Sequence, residues 1–95
     1  MRAQRKDGNQ GEVVAAFRKM GCVVLVMNDL ELGFDLLVGF RGGWVPVEVK
    51  DGSLSPSRRV LTSLETRFRE LCLSRRLPWA KVEGLEDAVA LANCR

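Results

Sequence analysis

Asp35, Glu48 and Lys50 are the residues whose types and spacing could do chemistry together in this chain. Glu48 and Lys50 stand two positions apart in GWVPVEVKDG, at the end of a valine-rich run where a strand puts both side chains on one face. Asp35 approaches them from GFDLLVGF, across a Gly42-Gly43 pair that signals a hairpin. With those glycines as the two turn residues, Arg41 lies opposite Trp44, Leu37 opposite Glu48 and Asp35 opposite Lys50. The three ionisable groups then emerge together, while Phe34, Leu36, Val38, Val45, Val47 and Val49 line the reverse side. A three-residue loop would turn Asp35 onto the valine face instead.

Two carboxylates meeting at one point are what a hard divalent cation needs, and Mg²⁺ is commonly held by one or two carboxylates with substrate phosphate oxygens. A lysine beside them supports a water nucleophile and offsets negative charge on a phosphoryl centre. That combination suits phosphodiester hydrolysis. The competing account is an acid-lysine pair that is merely structural, or solvated on a sheet face. The chain has no histidine, which removes the usual zinc ligand, the commonest general base and every Ser-His or Cys-His dyad. Cys22, Cys72 and Cys94 are odd in number and widely spaced, so they suggest neither a disulfide framework nor a zinc cluster, and a reducing cytoplasm fits them best.

The elements that must position these residues are legible in outline. Residues 1–8 read as a basic arm, and residues 9–95 as a single domain. From Asn9 a helix is expected, with Val13, Phe17 and Met20 on one face and Gly21 as its stop. CVVLVM reads as a buried strand ended by a polar turn. After the hairpin and the turn-rich DGSLSPSRR, a second amphipathic helix carries Leu61, Leu64, Phe68, Leu71 and Cys72, with Thr62 and Glu65 spaced as a capping box. Pro78 introduces a short strand, and a last helix from Leu85 presents Leu85, Val89 and Ala92. The order α-β-β-β-α-β-α predicts an α/β fold with a mixed sheet, an antiparallel meander of three strands and a parallel fourth reached through the second helix. Pro46 is the awkward residue, because a strand between two neighbours loses a ladder donor there, and a bulge would shift the register.

The formal net charge of +3 mildly favours an anionic partner. Arg41 at the hairpin tip, Arg58 and Arg59 in the following loop, and Arg2, Arg5 and Lys6 in the arm are candidates to track a phosphate backbone, each with an ordinary surface alternative. Arg67, Arg69, Arg75 and Arg76 read as the wet face of the second helix. Trp44 suits either stacking on a base or burial near the hairpin end. The longest apolar run, Val23 to Met27, is far short of a membrane span, and the polar opening does not read as a leader, so a cytoplasmic protein with no membrane partner is expected.

GFDLLVGFRGGWVPVEVKDG resembles the core motif of the PD-(D/E)XK nucleases: a strand-borne aspartate, a hairpin, then an acid, any residue and lysine. The continuation SRRVLTSLETRF is similar to small phage, VRR-NUC-like and Holliday-junction-resolvase-like members of that superfamily. The resemblance implies a restriction-endonuclease-like core and a Mg²⁺- or Mn²⁺-dependent endonuclease acting on DNA, with branched DNA a candidate substrate and a homodimer the expected assembly. It implies that Asp35 and Glu48 bind the metal, that the Val49 carbonyl completes its shell, and that Lys50 assists the attacking water. It also implies a further acid near the metal at Glu12, which is equally explained as a solvated glutamate in a first helical turn. Glu65 falls where relatives place a polar residue facing the site, although its capping box accounts for it. Phe34 stands where the motif has proline. The rival functions are a non-catalytic nucleic-acid-binding module of the same fold and a structural domain in which Asp35, Glu48 and Lys50 only pair.

Overall fold

The computed structural model describes residues 8–93. Three helices, α1 (Gln10–Lys19), α2 (Ser63–Ser74) and α3 (Leu85–Asn93), accompany four strands, β1 (Val23–Val26), β2 (Leu36–Phe40), β3 (Gly43–Val49) and β4 (Ala80–Val82). The strands form one sheet in the order β1-β2-β3-β4, antiparallel except for the parallel pair β3–β4. This is a small α/β fold with a mixed sheet and the expected element order. Among the described residues no helix is long and apolar enough to cross a membrane.

Alternation along the central strands separates two chemistries. Leu36, Val38, Val47, Val49 and Val82 are buried with Val13, Val14 and Phe17 of α1 and Ala88 and Ala92 of α3, so one sheet face carries the aliphatic core. Asp35, Glu48 and Lys50 take the opposite face and are buried as well, beneath α2. Phe34 departs from the expected pattern: it precedes β2, escapes the strand's alternation and stacks on Phe68 of α2 at 4.9 Å between ring centroids.

The hairpin register corrects the expected one. Phe40 pairs with Gly43, so the two turn residues are Arg41 and Gly42, with φ of 53° and 80°. A two-residue turn matching the twist of its strands needs positive φ at both central positions, and Arg41 adopts it where a glycine was expected. Leu36 pairs with Val47 as the last pair of the ladder, and Asp35, just before it, donates its amide to the Val47 carbonyl and meets the Glu48 side chain instead of pairing with Lys50. Because pairing moves by an even step, every side chain keeps its face. Pro46 pairs with Leu37 in an unbroken ladder, without a bulge. The Lys50 amide donates to Val82 on the β4 side, so by alternation Pro46's missing donor also faces that side, where pairing begins only at Val47.

Two helices lie differently from their apolar patterns. In α2 the buried residues are Glu65 and Cys72, whereas Leu64 and Leu71 are 41% and 51% exposed. The helix is rolled so that Glu65 reaches Lys50. In α3, Ala88 and Ala92 are buried while Leu85 and Val89 are largely exposed. Small residues allow its backbone to approach the sheet and α1 closely, which larger ones at those positions would prevent. Met20, expected on the buried face of α1, is the exposed C-cap residue.

Candidate functional site

The buried charged cluster is assembled from three parts of the fold. Asp35, immediately before β2, meets Glu48 of β3, Lys50 follows directly after β3, and Glu65 descends from the first turn of α2. Relative exposures are 7% for Asp35, 1% for Glu48, 8% for Lys50 and 9% for Glu65. Buried charge is costly unless paired, so each group's partners decide what the cluster can do.

Asp35 is held on both oxygens. Its Oδ2 accepts the Val49 amide at 2.8 Å, and its Oδ1 accepts Asn28 Nδ2 at 2.6 Å. Asn28 in turn is locked to Gln10 of α1 by a reciprocal amide pair at 2.7 and 3.2 Å. Gln10 and Asn28 are themselves 4% and 2% exposed. Lys50 Nζ donates to Glu65 Oε1 at 2.9 Å and lies 3.5 Å from Glu48 Oε2. The same Glu65 oxygen accepts the Thr62 amide at 2.8 Å, so the expected capping box is present and Glu65 is also part of the cluster.

Glu48 is the strained member. Its Oε1 is buried with no hydrogen-bond donor among the described residues. Burial, reinforced by the Asp35 and Glu65 carboxylates, pushes its carboxyl up to about 10. Burial also raises Asp35, against the lowering effect of hydrogen bonds from Glu48 and the Val49 amide. For Glu65 burial acts upward too, but hydrogen bonds from Glu48, the Thr62 amide and Lys50 together hold it below the usual carboxylate range. A single proton on Glu48, donated to a neighbouring carboxylate, reconciles these directions with the missing donor at Oε1. A cation beside Glu48 Oε1 and Asp35 would satisfy the same need.

No family model, curated protein or solved structure matches the chain. The site's chemistry therefore stands on its own geometry. Among the described residues no group of three or more His, Cys, Asp and Glu side chains is arranged to hold a metal ion. Asp35 and Glu48 offer a two-carboxylate site of the kind Mg²⁺ uses with waters and phosphate oxygens. The donor set fits at Glu48 Oε1, which is buried and has no hydrogen-bond partner among the described residues. The Val49 amide already faces Asp35, and in an extended strand the carbonyl of the same residue points to the same edge.

The remaining sequence-predicted residues divide. Glu12 is exposed on α1, while Gln10, two residues earlier, is the α1 side chain that reaches the cluster through Asn28. Gln10 and Asn28 carry no sequence signal as a pair; Asn28 reads as a turn residue and Gln10 as helix surface until the fold joins them. Arg41 is exposed in the hairpin turn and Arg58 is exposed in the loop after β3. Arg59 is half-buried and pairs with Glu83 at 3.2 Å rather than projecting freely. Arg69, expected among wet-face residues, lies over the Trp79 ring at 5.4 Å. Lys6, Arg2 and Arg5 fall outside the described residues.

Proposed function

We propose that the protein is a metal-dependent deoxyribonuclease with a restriction-endonuclease-like core, in which Asp35 and Glu48 hold Mg²⁺ or Mn²⁺ with the Val49 carbonyl. The observation that carries this reading is the Asp35–Glu48 juxtaposition, with Glu48 Oε1 buried and lacking a donor among the described residues, two positions from a lysine tethered beside it. When bound, the metal supplies Lewis acidity toward a phosphoryl oxygen and lowers the pKa of its water. Asp35 is oriented by Asn28 and the Val49 amide, so its position costs little reorganisation. Lys50, fixed by Glu65, brings positive charge next to Glu48 and orients the attacking water. DNA is the proposed substrate, branched forms included, and a homodimer the proposed assembly, both resting on the motif resemblance.

One observation favours a second reading. All four ionisable groups are at least nine-tenths buried, which also suits a non-catalytic domain of the same architecture that binds nucleic acid through Arg41 and Arg58. Incubation with linear and branched DNA separates the two. The nuclease cleaves with Mg²⁺ or Mn²⁺, stops in EDTA, and is inactivated by Glu48→Ala and Lys50→Ala in folded protein. Retarded DNA mobility with no cleavage under any metal condition would leave only the binding module.

A further inference from the structure

Trp44 is laid flat on the sheet and left open on its outer side. It pairs with Gly39 across the hairpin, and a Cβ added at Gly39 would stand 2.8 Å from Trp44 Cζ3, 2.9 Å from Cε3 and 3.1 Å from Cη2. Only glycine lets the six-membered ring rest directly on the neighbouring strand. The residue is nevertheless 49% exposed. An open hollow of about 310 Å³, lined by Val23, Gly39, Phe40, Gly42, Gly43 and Trp44, lies beside the ring. That is the low end of the size range of small-molecule sites. Its walls are apolar side chains and glycine backbone, which suit a flat heteroaromatic ring with hydrogen-bonding edges.

The position relates this ring to the carboxylates. Trp44, Pro46 and Glu48 alternate onto one face of β3, and Gly39 and Leu37 accompany them on β2. At the usual strand rise Trp44 stands about 13 Å from Glu48, or on the order of four nucleotides at the 3.4 Å rise of a stacked strand, fewer if it is extended. Exposed Arg41 lies in the adjoining turn, beyond Trp44 on the side away from Glu48, and supplies a cation for phosphates flanking the stacked base there.

We infer that Trp44 is a stacking platform for an unpaired nucleobase, and that the substrate class is DNA with a single-stranded or unstacked segment next to the scissile bond. The inference rests on the deoxyribonuclease reading and narrows it. A fully paired duplex keeps its bases stacked on one another and offers only its end to such a ring, whereas a single strand or a branch point has bases free to stack. Base-aromatic stacking is tolerant of sequence, so no base preference is expected.

The test measures binding of labelled oligothymidylate of about 12 nucleotides and of a blunt-ended duplex, both in EDTA so that no cleavage occurs. Trp44→Ala should weaken oligothymidylate binding by about 5- to 150-fold, leave duplex binding unchanged, and be largely rescued in Trp44→Phe. Gly39→Val, which lifts the ring while keeping the indole, should reproduce the defect; thermal melting confirms that each variant is folded. Equal oligothymidylate affinity for wild type and Trp44→Ala overturns the inference and leaves the nuclease reading standing if wild-type protein still cleaves. An equal loss on duplex overturns it too. So does a change from dimer to monomer in Trp44→Ala with DNA affinity unaltered, because the face would then belong to a second copy. Wild-type protein that binds and cleaves no DNA removes the nuclease reading and the platform together.

Discussion

Glu65 Oε1 accepts two hydrogen bonds, from the Thr62 amide at 2.8 Å and from Lys50 Nζ at 2.9 Å. A single oxygen thus closes the start of α2 and ties that helix to the end of β3. The roll of α2 follows, since holding Glu65 over Lys50 turns Leu64 and Leu71 outward. Removing the carboxylate takes away the 2.9 Å partner of Lys50 and leaves Glu48 at 3.5 Å. Glu65→Ala should therefore cost about 3–5 kcal/mol, as breaking a buried ion pair does, and Glu65→Gln less because an amide oxygen still accepts the Thr62 amide. Urea unfolding at neutral pH measures both; a loss no larger than that of an ordinary cap, about 1 kcal/mol, would mean the ion pair contributes little.

Stability should fall with rising pH in metal-free protein. Burial beside Asp35 and Glu65 raises Glu48 to about 10, so the folded state keeps a proton that the unfolded chain releases near the ordinary glutamate value of 4.5. Its contribution is fully present below that unfolded value and is lost progressively as pH climbs toward the folded one. Asp35, raised chiefly by burial, acts in the same direction. Glu65, held low, acts oppositely and only in the acid range. The unfolding free energy from urea titrations between pH 5 and 9 should decline by up to about 1.4 kcal/mol per pH unit for one proton difference. Glu48→Gln should flatten the decline, and an unchanged slope in that variant would assign the effect elsewhere.

Metal affinity should depend on residues that would never touch the ion. Asn28 fixes Asp35 Oδ1 and is itself fixed by Gln10. Loss of such an outer partner typically weakens a metal site by about 10- to 100-fold. Mn²⁺ titration calorimetry should show that loss in Asn28→Ala, and binding that tightens as pH rises because the ion displaces the Glu48 proton. Tight binding that persists in Glu48→Gln would move the metal away from this pair.

The outline of the fold was legible because it depends on period and punctuation. Val13 with Phe17, the valine run of β3 and the Thr62–Glu65 spacing each identify an element without reference to the rest of the chain. The gathering of Asp35, Glu48 and Lys50 on one face was legible for the same reason, since alternation needs only parity. The hairpin offset was not, because two turn pairs, Arg41-Gly42 and Gly42-Gly43, are chemically available and differ by an even step. The roll of α2 was hidden by a competition that the apolar pattern does not record, between burying Leu64 and Leu71 and pairing Glu65 with Lys50. Gln10 and Asn28 were invisible as site residues because a reciprocal amide pair exists only once α1 and the β1–β2 connection are packed together.

Arg41 ought to serve two ends that a substitution can separate. It holds φ at 53° in the hairpin turn, a left-handed conformation costing a residue with a Cβ roughly 1–2 kcal/mol. Asparagine tolerates that region better, and Asn-Gly is the favoured pair for such a turn. Arg41→Asn should therefore raise the urea midpoint of the free protein. If the exposed guanidinium also meets a phosphate, the same variant should bind DNA more weakly, and the slope of log affinity against log salt should shrink by about 0.7–0.9. Arginine retained at a conformationally unfavourable position would then be explained by the ligand it contacts. A variant that is more stable and binds DNA with an unaltered salt slope would remove Arg41 from the nucleic-acid interface and leave the turn conformation as its only measurable effect.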